Sequence, residues 1–213
     1  MKRFAAGFAH ELRTPLTVIR NAVYYLKHTI PLSEETTESL DMIEAEAQAI
    51  NRVLTRLVEV THEFELKCES ADLQELATEA IDIVDHERSI EWQFDLSPQP
   101  FNIWCDKERL RHVLYNVFKN AAYCMKGIGR VTIRARHEGD RDLVEIRDSG
   151  SGVADEVRDT LFDPFITTKS AGIGLGLTYC RQIVGRHGGL IELTESSSKG
   201  AAFQIKLPNP GEG

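Results

Sequence analysis

Two long amphipathic segments occupy the first third of the chain. In both, apolar residues recur at alternating four- and three-residue steps. The first stripe consists of Leu12, Leu16, Ile19, Val23, Leu26 and Ile30, and the second of Leu40, Ile43, Ala47, Ile50, Leu54, Leu57 and Thr61. This spacing predicts two heptad-patterned helices joined by a turn at Pro31. Because one narrow hairpin cannot bury both stripes, the pattern also predicts a homodimer that forms a four-helix bundle.

The remaining two thirds of the chain follow a mixed pattern, and we place a domain boundary near residue 67. The predicted helices cover residues 72–85 and 106–125, then a short helix, then one that ends near residue 187. The predicted strands cover residues 90–96, 101–104, 131–137 and 143–147, with two more at the end. Helices interleaved with hairpin-linked strands are typical of an α+β sandwich with its helices on one sheet face. The sequence thus predicts a helical hairpin over residues 1–67 and an α+β domain over residues 68–213.

Composition narrows the classes of function. The 213 residues are 42% hydrophobic and 27% charged, which is typical of a soluble globular protein. A net charge of −8 argues against a nucleic-acid partner. The four cysteines are widely spaced without a C-x-x-C pair, which suits a reducing cytoplasm and neither a metal site nor a disulfide framework. We expect no secretory signal, because the first residues run directly into a helical pattern.

A histidine is predicted on the outer surface of the first helix. With Leu16 at heptad position a and Ile19 at d, His10 falls at b and Thr14 at f, so both lie outside the bundle core. They are four residues apart and share one surface. Such a histidine is accessible to a second domain, and Glu11 could accept its ring N–H and make the other nitrogen more nucleophilic. On these residues alone, a solvated surface histidine is the alternative.

Two asparagines on the helix that starts near residue 106 are candidate metal and phosphate ligands. Asn116 and Asn120 are four residues apart on a stripe beside the buried face, with Tyr123 next to them. Their neutral amide oxygens could complete a Mg²⁺ shell without adding negative charge near phosphates. Taken alone, a pair of surface or helix-capping asparagines is the alternative.

Two glycine-rich segments are candidate nucleotide contacts. Asp148 ends a predicted strand and begins the sequence D-x-G-x-G; its carboxylate could accept the amino group of adenine, while Gly150 and Gly152 let the backbone approach the ring. A tight turn is the alternative for this segment. Residues 172–177 (GIGLGL) open a helix whose free N–H groups favour an anionic phosphate. No βαβ unit surrounds them and no Lys-Ser/Thr follows, so they match neither a dinucleotide fingerprint nor a P-loop.

These segments resemble, in family order, the motifs of sensor histidine kinases. Residues 8–16 (FAHELRTPL) resemble the phosphoacceptor box almost letter for letter. The asparagine pair, D-x-G-x-G, residues 161–165 (LFDPF) and GIGLGL resemble the N, G1, F and G2 boxes. The resemblance covers nearly the whole chain and implies a Bergerat-type ATP-binding fold, shared with type II topoisomerases and heat-shock chaperones. By this resemblance His10 is the phosphorylated residue, Glu11 is its general base, and Thr14 orients water when the kinase dephosphorylates its partner.

The resemblance also implies the ATP contacts, in which Asp148 binds adenine, Asn120 holds Mg²⁺ and Asn116 supports the phosphates. Lys169 reaches the γ-phosphate from a compact lid, which Phe162 and Phe165 anchor. The backbone contacts it implies are Gly150, Gly152, Gly172, Gly174, Leu175 and Gly176. At the position of Tyr123, which we include among the ATP contacts, the family often has Lys or Arg.

The sequence therefore predicts a cytoplasmic protein-histidine kinase that uses ATP and Mg²⁺. As a homodimer, it would pass its phosphoryl group to an aspartate on the receiver domain of a response regulator. Neither nucleic acid nor a membrane is an expected partner of this fragment, which lacks a sensor region; the full-length protein is either soluble or membrane-anchored. Three alternatives remain open: a kinase-like scaffold that binds nucleotide poorly, a Bergerat ATPase that drives a conformational cycle, and a phosphatase-dominant member of the family.

Overall fold

The structure is a computed structural model of the chain. It describes residues 2–61, 64–86, 89–169 and 172–210, together with their side chains except those of residues 2–11, 52 and 56–61. Two compact units make up the chain, Met1–Phe64 and Glu65–Gly213. Within the described residues, no helix combines the length and the apolar character that crossing a membrane requires.

The first unit is a hairpin of two helices, α1 (Lys2–Thr29) and α2 (Glu34–Thr61), as the heptad pattern predicts. Alternate members of the two apolar stripes are buried, namely Leu16, Val23, Leu40, Ala47 and Leu54. The intervening members remain 38–49% exposed, namely Ile19, Leu26, Ile30, Ile43 and Ile50. Among the described side chains, the hairpin thus buries some members of each stripe and leaves others at its surface.

Polar contacts define the turn between these helices. The Ser33 hydroxyl accepts a hydrogen bond from the backbone N–H of Thr36 at 3.2 Å, which caps the start of α2. Near the end of α1, the Lys27 ammonium lies 2.6 Å from carboxylate oxygens of both Asp41 and Glu44 in α2. These contacts fix where the chain reverses, and they join the end of α1 to α2.

The second unit combines helices with two sheets. Its described helices are α3 (Leu73–Val84), α4 (Lys107–Cys124), α5 (Asp155–Arg158) and α6 (Gly176–Arg186). Its described strands are β1 (Glu69–Asp72), β2 (Ile90–Ser97), β3 (Asn102–Cys105), β4 (Gly129–Glu138), β5 (Arg141–Asp148), β6 (Leu190–Ser197) and β7 (Gly200–Pro208). Strands β1 and β3 form a small antiparallel sheet, and the main sheet has the order β2-β4-β5-β7-β6, in which only the β2–β4 pair is parallel.

The main sheet has one apolar face and one charged face. The buried residues of β4 are Val131, Ile133 and Ala135. The alternate residues Arg130 and Arg134 are exposed and pair with Glu91 and Asp95 of β2 at 2.9 and 3.2 Å. On the apolar side, the ring of Phe118 in α4 meets that of Trp92 in β2 with centroids 4.9 Å apart. Helices therefore cover one face, and the predicted α+β sandwich is confirmed.

Asp106 determines where α4 begins. One oxygen of its carboxylate accepts the backbone N–H of Arg109 at 3.1 Å, and the other accepts that of Lys67 at 3.0 Å. Its own N–H donates to Nε2 of His187, the C-cap residue of α6, at 3.0 Å. The start of α4 is thereby tied to the end of α6. This contact fixes the relative position of α4 and α6, and the opposite ends of these two helices reach the candidate site.

Candidate functional site

A cleft of about 700 Å³ lies between the C-terminal end of α4 and the loop that follows β5. Its lining residues are Ala122, Tyr123, Cys124, Lys126, Gly127, Ser151, Gly152, Val153, Ala154 and Thr168. A second cleft of about 680 Å³ lies along α3 and is lined mainly by acidic and polar side chains. Only the first cleft contains residues that the sequence identifies as candidate nucleotide contacts, so the site is built around it.

Asp148 ends β5, one of the central strands of the sheet, and its side chain is buried. One carboxylate oxygen accepts the backbone N–H groups of Gly150, at 2.8 Å, and of Ala201, at 3.4 Å. Burial raises the pKa of Asp148, whereas these two hydrogen bonds and nearby Arg147 act in the opposite direction. The result is a buried acceptor that the backbone holds in a fixed orientation.

The glycines after Asp148 allow close packing of the loop. A Cβ atom at Gly150 would lie 2.8 Å from Cβ of Cys124, at the end of α4. Gly152 has a φ of +74° and leaves no room for a side chain beside the backbone oxygen of Ser197. The loop therefore packs between α4 and β6. Cys124, Ser197 and Ala201 are parts of the site that the sequence reasoning missed, because they reach it through contacts distant in sequence.

The two asparagines of α4 face different neighbours. Asn116 donates to the backbone oxygen of His112 at 2.9 Å, and its own side-chain oxygen lies 3.0 Å from where a Cβ of Gly176 would be. One turn later, the Asn120 side-chain oxygen accepts a hydrogen bond from the Lys169 ammonium at 2.6 Å. The same ammonium lies over the ring of Tyr123, 4.4 Å from its centroid. Five of the six residues named here, all except His112, are predicted site residues, and they come from three separate sequence segments.

The glycine-rich segment before α6 closes against the preceding loop. Gly174 has a φ of +72°, and its backbone oxygen accepts the N–H of Phe165 at 3.0 Å. A Cβ at Gly174 would lie 2.6 Å from the backbone nitrogen of Ile166, so a side chain would force the loop apart. Leu175, the residue before α6, makes no side-chain cap, so the first N–H groups of the helix can face an anion.

The loop between α5 and α6 has one aromatic anchor. Phe162 meets Phe203 of β7 edge-on, with ring centroids 6.4 Å apart. Phe165 is 57% exposed, so the prediction that it also anchors the loop is wrong. It has a positive φ of 67°, and its contribution is the backbone hydrogen bond to Gly174. An ion pair between Asp163 and Arg181 of α6, at 3.0 Å, adds a second attachment.

The predicted phosphoacceptor segment lies in the first unit. His10 and Glu11 are in the backbone of α1, and their side chains lie outside the described residues. Thr14 is one turn further along the same helix, and its side chain is exposed.

Asn120 has a side-chain oxygen that is a suitable ligand for Mg²⁺. Its amide oxygen already faces a cation, the Lys169 ammonium, and a neutral oxygen is a ligand that Mg²⁺ accepts. Within the described part of the chain, no group of three or more His, Cys, Asp or Glu side chains could hold a metal ion. A metal here would therefore rest on Asn120 together with ligand oxygens and water, as is common for Mg²⁺ beside phosphates.

Two protein families match consecutive parts of the chain. Residues 1–62 match the His Kinase A (phospho-acceptor) domain, and residues 105–211 match the histidine kinase-, DNA gyrase B- and HSP90-like ATPases. The sensor histidine kinase ZraS of Salmonella typhi is 34% identical over 212 residues, which cover 98% of this chain and 46% of ZraS. The chain thus spans about half the length of this curated relative.

Solved structures show the same architecture. Full-length ShkA in complex with AMPPNP superposes with a TM-score of 0.78 over 98% of this chain and 46% of ShkA, at 24% identity, a likeness that concerns the fold. The histidine kinase ThkA, crystallised with the response regulator protein TrrA, superposes with a TM-score of 0.67 over 97% of this chain and 61% of ThkA, at 25% identity.

Proposed function

The chain belongs to the two-component sensor histidine kinases, and on that premise we propose that it phosphorylates His10 with ATP and then passes the phosphoryl group to an aspartate of a response regulator. The observation that carries the proposal is the meeting of four segments distant in sequence: Gly150, beside Asp148, packs against the end of α4, Asn116 lies against Gly176 at the start of α6, and Asn120 binds Lys169. Tyr123 of α4 and Gly152 of the loop after β5 line the cleft. The match of residues 1–62 to a phosphoacceptor domain supports His10 as the acceptor.

In the proposed complex, each part of the site binds a different part of ATP. The buried Asp148 carboxylate accepts a hydrogen bond from the adenine amino group, and Gly152 lets the backbone lie against the ring. Asn116 and the N–H groups at the start of α6 face the phosphates. Asn120 would hold Mg²⁺, which neutralises charge on the phosphate oxygens when bound.

The chemical step is an in-line displacement. One imidazole nitrogen of His10 forms a bond to the γ-phosphorus as the bond to the bridging oxygen breaks, and ADP leaves with that electron pair. Glu11 takes the proton from the other ring nitrogen, so the phosphorylated ring does not retain an extra positive charge. Helix-end amides and nearby cations stabilise the charge on the transferring group.

Incubation with Mg²⁺ and ATP labelled in the γ position tests this function. We expect label on the protein that is stable in base and lost in acid, as is typical of phosphohistidine. A protein that binds ATP without acquiring such label would contradict the proposal. The scaffold or ATPase alternatives would then be favoured, and release of phosphate would separate the two.

A second activity at the same helix, dephosphorylation of the partner, is proposed for Thr14. We expect Thr14→Ala to slow hydrolysis of the phosphorylated receiver domain roughly 10- to 100-fold, because an oriented water is lost. Autophosphorylation should stay close to wild type. Thr17→Ala is the matched control, since the Thr17 hydroxyl donates to the Arg13 backbone oxygen within the same helix. Equal loss of phosphatase activity in both variants, measured with purified phosphorylated regulator, would contradict a specific role for Thr14.

We propose that a second copy of the chain covers the exposed members of the apolar stripes. Five large aliphatic side chains on two helices are 38–49% exposed at heptad spacing, where a four-helix bundle would bury them. This arrangement supports a homodimer formed by the hairpins. The response regulator is the other proposed partner, and the cytoplasm the proposed location of these domains.

If the stripes form the dimer interface, a single charge placed on a stripe should strongly weaken association of the two copies. Ile43→Glu should weaken association on the order of 100-fold, because a carboxylate would be buried in an apolar interface. Met42→Glu is the control, because Met42 is the chain neighbour of Ile43, is 70% exposed and lies off the stripe. Analytical ultracentrifugation should give a monomer for the first variant and a dimer for the second. A dimer that persists in Ile43→Glu would contradict this interface.

A further inference from the structure

The protein itself supplies a cation to Asn120. The Lys169 ammonium donates to the Asn120 amide oxygen at 2.6 Å and lies 4.4 Å from the centroid of the Tyr123 ring. Both are groups that attract a cation, one through a carbonyl dipole and the other through the face of an aromatic ring. Neither carries a negative charge, so the contact holds the ammonium without neutralising it.

The backbone around Lys169 is fixed by its own turn. The N–H of Lys169 donates to the Thr167 hydroxyl at 3.1 Å, and its carbonyl oxygen accepts the N–H of Gly172 at 3.0 Å. A Cβ at Gly172 would lie 2.9 Å from Cβ of Lys169, so glycine allows the tight return of the chain. The turn therefore presents the Lys169 side chain to α4.

The oxygen that holds the Lys169 ammonium is the one assigned to Mg²⁺ under the proposed function, on which this inference rests. We propose that the Lys169 ammonium is a built-in counter-cation, which holds the Asn120 oxygen in the metal-free protein and withdraws from it when Mg²⁺ and nucleotide bind. Two cations in contact with one neutral oxygen would repel each other strongly in a partly buried site. Ammonium and metal therefore exclude each other at Asn120.

The contacts of Lys169 agree with a cation held for exchange. Its ammonium lies against a neutral amide oxygen and an aromatic ring, and neither contact is an ion pair. When nucleotide binds without metal, this ammonium is the positive charge that faces its phosphates at Asn120. When Mg²⁺ accompanies the nucleotide, that contact is no longer needed.

Calorimetric titration with ADP, once with a metal chelator and once with saturating Mg²⁺, tests the exchange. ADP has no γ-phosphate, so contacts to the transferred group do not contribute. We expect Lys169→Met to weaken metal-free ADP binding about tenfold, the loss of a charge-assisted contact, and Mg²⁺-bound ADP binding at most about twofold. Lys107→Met, which removes the same charge at the other end of α4 beside Glu69, should change neither value appreciably.

The outcomes separate this inference from the function on which it rests. If wild type binds no ADP in either condition, the nucleotide site itself is overturned, and the Lys169 proposal with it. If ADP binds and Lys169→Met loses the same factor in both conditions, only the exchange is overturned, because Lys169 then contributes independently of Mg²⁺. A loss confined to the metal-free titration supports the exchange.

A measurement on the unmodified protein gives a second readout. With ¹³C-labelled lysine, the Cε signal of Lys169 should differ from those of exposed lysines in the metal-free, nucleotide-free protein. Addition of ADP alone should leave it distinct, whereas addition of Mg²⁺ and ADP together should move it towards the exposed lysines. A Lys169 signal that does not respond to Mg²⁺ in the presence of ADP would overturn the proposal.

Discussion

Replacing His10 with glutamine is expected to abolish acid-labile labelling by γ-labelled ATP while leaving ATP affinity within about twofold of wild type. The two effects separate because His10 lies in the first compact unit and the candidate nucleotide site in the second. Glutamine fills a similar volume and supports the helix, but its amide nitrogen is not a nucleophile. The measurement combines labelling with calorimetric titration of ATP.

His28→Gln is the matched control for this change. His28 lies on the same helix, where its ring stacks on Tyr24 at 4.0 Å between centroids and its Nδ1 is 2.7 Å from the Tyr24 backbone oxygen. It has neither a following glutamate nor the surrounding motif, so its variant should label like wild type. Undiminished acid-labile label in His10→Gln would place the phosphoacceptor elsewhere and contradict the assignment.

The elements of the fold were predictable because local signals specify them. Asp72 and Asp106 precede helical patterns, and the structure shows both carboxylates accepting N–H groups in the first turn of α3 and α4. Alternating residues such as Val131 and Ile133 predict strand β4, and the Gly139–Asp140 pair predicts its hairpin with β5. Each signal lies within a few residues of the structure it determines.

Contacts between distant segments were beyond the reach of the sequence. Heptad spacing gives both apolar stripes, but the structure alone shows that Val23 is buried within the hairpin and Ile19 is left at its surface. The hydrogen bond from Ala201 to Asp148 joins β7 to β5, and nothing near either residue indicates it. Lys169 was assigned to phosphate by resemblance, whereas its contact with Asn120 depends on how one loop meets α4.

Phe165 shows how a motif can mislead about mechanism. By resemblance its place in LFDPF makes it an anchor of the loop like Phe162, but its φ is positive, at 67°, and its side chain is 57% exposed. The backbone N–H of Phe165 donates to Gly174, so the residue joins the middle of the loop to its end before α6. A motif specifies residue types, and the backbone conformation decides which atoms make the contact.

Asp148→Asn is expected to weaken ATP binding about 100-fold without destabilising the protein. An asparagine oxygen can keep the hydrogen bonds from Gly150 and Ala201, which now reach one carboxylate oxygen. The NH₂ group of the asparagine must then occupy the position of the other carboxylate oxygen. There it would face the adenine amino group, and two hydrogen-bond donors cannot pair. The lost acceptor and the unpaired buried donors correspond to about 3 kcal/mol, which calorimetric titration of ATP measures directly.

Asp148 gives the stability of the wild-type protein a pH dependence whose sign follows from burial. Burial raises the pKa of Asp148 in the folded protein, so any stability it contributes is fully present below its unfolded pKa and is lost as pH rises through its folded pKa. The asparagine of Asp148→Asn does not titrate there, so the thermal midpoint of the variant should rise relative to that of wild type as pH rises from acid to neutral.

Asp142→Asn, at the other end of β5, is the control for ATP affinity, since Asp142 contacts His137 and Asn209. Unchanged ATP affinity in Asp148→Asn would contradict adenine recognition by Asp148, whatever its stability.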